Sequence, residues 1–143
     1  AGIAARAADW QFGQVYPESC EACSDTGDPT EAIHWRFEND SAVRESFYST
    51  DGDATNRFFL NVPTQAAYRQ VLLDGHDPLH EAYPDRYKRF IRSGDDSHTA
   101  FGSPIYYLGE IDGVRLHEFA EDFVQRRPGP NWIDLVEDFI PLP

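Results

Sequence analysis

Four cationic side chains fall within seven positions, Arg86, Lys88, Arg89 and Arg92, interleaved with Tyr87 and Phe90. Guanidinium forks take phosphate oxygens in pairs and aromatic rings stack on bases. With Tyr87, the four cations form the candidate nucleic-acid contact; the alternative is a strand whose charged side faces water near Asp95 and Asp96. Cys20 and Cys23 are the only cysteines. A lone C-x-x-C lacks the second half of a zinc site, so no metal is expected. The pair predicts a short-range disulfide, with a redox motif as the alternative. Residues 49–56 (STDGDATN) are oxygen-rich like a calcium loop but lack its later bidentate Glu, and read as a solvated loop. His76, His80 and His98 read as loop histidines, solvated or available to a rearranged site. His34 reads as the polar face of a strand.

The elements that must hold these groups follow from periodicity. The clearest helix runs from about Pro63 to Leu73, capped by Asn61 or Thr64 and ended by Asp74-Gly75. Its core face is Tyr68, Val71 and Leu72. Alternation predicts strands at Ile33-Trp35-Phe37, at Trp10-Phe12 and over 105–111, and Phe58-Phe59-Leu60 reads as a short apolar strand. Residues 17–30 and 93–103 read as loops, and residues 42–48 as strand or short helix. Asp112-Gly113 is a hairpin signal, with a return strand through Val114 and Leu116 that gives way to helix near Glu118. Residues 132–140 are apolar at both periods, so their type stays open. Together these give an α+β fold, one principal helix packed on an antiparallel β-sheet.

The chain has 143 residues, 41% of them hydrophobic, which fits one domain with a modest core after a flexible leader over residues 1–8. Its formal net charge of -13 disfavours non-specific attraction to nucleic acid or anionic lipid. No apolar run reaches the roughly 20 residues a membrane helix needs. The absence of Met predicts a processed mature protein or an excised domain.

The order TQAAYRQVLLDG, then YPDRY, then SPIYY, over about Thr64 to Ile111, resembles the fungal guanyl-specific ribonuclease family and the RNase-like secreted effectors related to it. The resemblance implies a microbial-ribonuclease-like fold, a secreted location and no cofactor. It also implies a site in which a strand Glu is the general base and a His the acid. Tyr83 matches the family Tyr. Asp85 stands where the family has His, and Leu108 where it has Glu, with Glu110 two residues on as the substitute base. Trp132 stands where an Arg is expected, and no His follows His117. Tyr83, Asp85 and Glu110 are thus the candidate catalytic residues of a degenerate site.

The function expected from the resemblance is a monomeric secreted RNase-like protein, without catalysis, that binds a host protein or RNA. One alternative is an active guanyl-preferring ribonuclease with a shifted site built on Glu110 and a loop His. Another is an acidic inhibitor or immunity protein steered to a basic nucleic-acid enzyme by its charge.

Overall fold

The computed structural model describes residues 15–26, 29–125 and 127–143. The expected leader and the Trp10-Phe12 strand lie outside the described residues. The sheet has three strands, β1 (Glu45–Thr50), β2 (Tyr87–Arg92) and β5 (Leu135–Val136), in the order β1-β2-β5. Both pairings are parallel, Glu45 opposite Tyr87 and Phe90 opposite Leu135. The sheet is therefore not the antiparallel one expected from sequence. The antiparallel pairing is confined to a two-residue hairpin, β3 (Glu110–Ile111) with β4 (Val114–Arg115). Its turn is the expected Asp112-Gly113, both at positive φ, as a tight hairpin requires.

Parallel strands need crossovers, and helices supply them. Between β1 and β2 lie α3 (Ala54–Leu60) and α4 (Gln65–Ala82). Between β2 and β5 lie α5 (Ile105–Leu108), the hairpin and α6 (Leu116–Val124). Two helices precede the sheet, α1 (Glu21–Thr26) and α2 (Pro29–Asn39). On one face, Phe90 and Leu135 pack with Ala100, Ile111, Leu116, Phe119 and Trp132. On the other, Ile91 packs with Tyr68 and Leu72 of α4, and Tyr87 with Leu79 and Phe37. β2 is central and covered on both faces, as parallel sheets are.

The principal helix begins where expected: the Thr64 hydroxyl accepts from the Ala67 N–H at 3.2 Å. It does not stop at Asp74-Gly75 but continues through Gly75 and Pro78 to Ala82. Tertiary burial outweighs the local stop signal, because Leu79 is fully buried on the stripe that carries Tyr68 and Leu72. Val71 points off that stripe and is 36% exposed. His76 and His80 consequently sit on a helix rather than in a loop.

Several further expectations are corrected. Residues Ile33, His34, Trp35 and Phe37 belong to α2, not to a strand. Phe37 and Ala32 are buried there, and the neighbouring helix α1 supplies a helical partner for the same segment. Phe58, Phe59 and Leu60 are helical because Asp53 caps α3, its side chain accepting from the Asn56 N–H. The strand expected over 105–111 is a four-residue helix followed by β3. Part of the expected 17–30 loop forms α1, and Cys20 and Cys23 are joined by a disulfide with Cα atoms 5.3 Å apart. Among the described residues, no helix is long and apolar enough to cross a membrane.

Candidate active site

In a parallel sheet every strand delivers its following loop to the same edge, and ligands gather outside those carboxyl ends. Here β1 runs into Asp51-Gly52-Asp53 and β2 into the 93–98 loop, side by side. The two loops are stitched together at several points. The Asp51 N–H donates to the Arg92 carbonyl at 2.9 Å, and the Ala54 N–H to the Asp96 carbonyl at 3.2 Å. The Thr50 hydroxyl donates to the Ser97 carbonyl at 2.7 Å. Residue 52 has to be glycine: a Cβ there would lie 2.4 Å from the Asp95 carbonyl oxygen and 2.9 Å from a Leu142 methyl. Within the second loop Asp95 folds the chain, accepting from the Ser97 N–H at 2.8 Å and pairing with Arg92 at 2.5 Å.

The stitched loops bring Asp53 and His98 together. His98 Nδ1 lies 2.9 Å from Asp53 Oδ2. A carboxylate only accepts, so the ring donates from Nδ1, and the neutral imidazole carries its lone pair on Nε2. Asp53 is buried and further held by the Asn56 N–H and side-chain amide, each at 2.8 Å. The His98 side chain is 46% exposed. Among the described residues, Nε2 has no hydrogen-bond partner. A buried carboxylate thus orients a half-exposed ring and leaves its basic nitrogen unengaged by the described residues, the arrangement of an Asp-His general base. Beside it, the Tyr48 hydroxyl and Ser97 Oγ are buried; burial above all raises the Tyr48 pKa, and the neighbouring Ser97 hydroxyl partly offsets this.

Residues 49–56 were expected to be a solvated loop. Instead Asp51 and Asp53 are buried, because protein donors, not water, surround both carboxylates. Neither Asp53 nor the Asp53–His98 pair stands out in the sequence. The usable signals were an aspartate three residues before Asn56 at a helix start, after a strand, and a histidine in the loop after the next strand.

The residues singled out from sequence lie elsewhere. Tyr83 ends α4 and stacks on Phe37, ring centroids 4.6 Å apart. Asp85 is exposed in the turn before β2. Glu110 is exposed on the hairpin, 3.8 Å from Arg115. Tyr83 packs in the cluster on the α2–α4 side of the sheet, whereas Ile111, beside Glu110, packs in the cluster on the opposite face. Arg86 donates to the Asp40 and Phe37 carbonyls and lies over the Phe37 and Tyr83 rings. Tyr87 is buried, with its hydroxyl 2.6 Å from His76 Nδ1. Lys88 is half-buried on β2.

Arg89 is buried and grips Asp134 through two side-chain nitrogens, while its third nitrogen pairs with Asp77. Burial works against the Arg89 charge, but the hydrogen bonds and charges of Asp134 and Asp77 more than reverse this, so its pKa is raised. Arg92 pairs with Asp95. The guanidiniums of Arg86, Arg89 and Arg92 are thus engaged within the fold, two of them with carboxylates. Among the described residues, no group of three or more His, Cys, Asp or Glu is gathered to hold a metal.

No family model matches the chain, and no curated protein or solved structure matches it.

Proposed function

We propose that this chain carries the general base of a hydrolase acting on a neutral acyl bond. His98, held by Asp53, removes a proton through Nε2 from an attacking water or hydroxyl. The carboxylate keeps the ring in the Nδ1–H form and stabilises the imidazolium that results. The single observation behind this is the 2.9 Å contact between His98 and buried Asp53, at the edge of a parallel sheet where such sites form. Aspartates 51, 53, 95 and 96 around the site, on a chain of net charge -13, disfavour an anionic substrate. An uncharged ester fits better than a phosphodiester.

This takes precedence over the ribonuclease-like binding protein, which rested on a resemblance whose fold is antiparallel. If Nε2 acts on water, hydrolysis is direct; if it acts on a presented hydroxyl, an acyl-enzyme forms and the time course shows a burst.

The test compares turnover of p-nitrophenyl acetate with that of bis(p-nitrophenyl) phosphate. The expected result is ester hydrolysis above the buffer rate and no action on the diester. Cleavage of the diester alone would return the chain to the nuclease class.

A further inference from the structure

The segment after β5 crosses the same edge of the sheet and is bound there by a dense set of polar contacts. The Glu137 N–H donates to the Ile91 carbonyl at 3.0 Å, and Glu137 Oε2 accepts from the Ser93 N–H at 2.9 Å. Arg69 donates to the Glu137 carbonyl at 2.6 Å. The Ile140 N–H donates to Ser93 Oγ at 2.7 Å. The Gln65 amide donates to the Ile140 carbonyl and accepts from the Leu142 N–H, both at 2.8 Å.

These contacts converge on one buried carboxylate. Asp51 accepts from Ser93 Oγ at 2.5 Å, from Gln65 at 2.7 Å and from Arg69 at 3.0 Å. Ser93 Oγ thus sits between the C-terminal segment and Asp51. Asp51 stands two residues before Asp53, and Ser93 five before His98. Packing repeats the pattern: Leu142 lies against Gly52 and Ile140 against Gly94, leaving no room for a Cβ without displacement. Gly94 has a φ of +68°, so its conformation also favours glycine.

We infer that the segment from Glu137 to Leu142 is a clasp that sets the spacing of Asp53 and His98, with Asp51 and Ser93 as the positioning residues through which it acts. It binds both loops, and none of its hydrogen bonds goes to Asp53 or His98. A buried carboxylate with three donors has few alternative arrangements, so the two loops keep one relative position. Loss of the clasp would leave the strands intact and free the loops to part. This inference rests on the Asp53–His98 reading and identifies what keeps that pair in register.

The test is nitrogen-15 NMR of the full chain, observing the His98 ring in wild type, Asp53→Asn, Ser93→Ala and Leu142→Ala. Leu142→Ala removes packing on Gly52 without touching the Asp51 network, and it covers the case in which Ser93→Ala does not fold. The expected wild-type ring is a single Nδ1–H tautomer with a protected proton. In Ser93→Ala or Leu142→Ala that proton should exchange about tenfold faster or more, the scale of losing one hydrogen bond to a charged group. Amides of β1 and β2 should stay protected. If the wild-type ring lacks this tautomer, or Asp53→Asn leaves it unchanged, both the pair and the clasp fail. If Asp53→Asn abolishes the signature while Ser93→Ala and Leu142→Ala both keep it, only the clasp is overturned.

Discussion

Arg89 occupies a central strand, where a charge is costly unless it is fully paired. Asp134 supplies that pairing, accepting also from the Arg89 backbone N–H at 2.9 Å, so one aspartate fixes both the strand and its side chain. Asp134→Ala should therefore destabilise by about 3–5 kcal/mol, the cost of leaving a buried charge unpaired. Asp77→Ala should cost far less, because that carboxylate is 48% exposed. Urea unfolding of the two variants checks the order, and equal losses would contradict this account of Arg89.

Tyr87 gives a pH dependence. Burial is the main cause raising its pKa above the ordinary 10.0, and burial raises Tyr68 and Tyr48 in the same direction. Above a pH of about 10 the unfolded tyrosines lose protons that the buried ones keep. The unfolded state then binds fewer protons, and stability falls as pH rises. Below the ordinary value the contribution is complete. The urea midpoint should drop between about pH 9 and pH 11, and Tyr87→Phe should lessen the drop. A midpoint that stays level would contradict this.

At the scale of elements, α4 is the clearest case of what the sequence disclosed. Its start was legible because Thr64 has one role, a side-chain acceptor ahead of a periodic run. Its end was not, because Gly75 and Pro78 carry local stop signals that the burial of Leu79 overrides. α2 and α3 were hidden because their short apolar runs fit both periods. Leu79→Ala should cost about 2–5 kcal/mol, as should Leu72→Ala, and Val71→Ala about 0.5 kcal/mol or less. A small loss at Leu79 would mean that the extension past Gly75 is marginal.

Strand direction was hidden for a different reason. Parallel and antiparallel pairings draw on the same residue types, and only the helical crossovers tell them apart. With residues 58–60 read as a strand and the principal helix ended at Gly75, the sequence shows no full helical crossover between β1 and β2, and the expected sheet is antiparallel. The Asp53–His98 pair was hidden with it, since it exists only once two parallel strands lie side by side. The basic run drew attention because local density is visible in a sequence. That Arg89 and Asp134 are partners across 45 positions is not.

For the whole molecule, a three-layered parallel core carries its chemistry at one edge, where the loops after β1 and β2 and the segment after β5 meet. That edge is acidic, and its most exposed basic group is a histidine held by a buried aspartate. The most direct measurement of the central claim is the initial rate of p-nitrophenyl acetate hydrolysis in wild type, His98→Gln and Asp53→Asn. Loss of a general base typically costs about 10²–10⁴-fold, so both variants should fall by that order with little change in KM and an unaltered urea midpoint for His98→Gln. A wild-type rate no higher than buffer, or variants within about twofold of wild type, would contradict it.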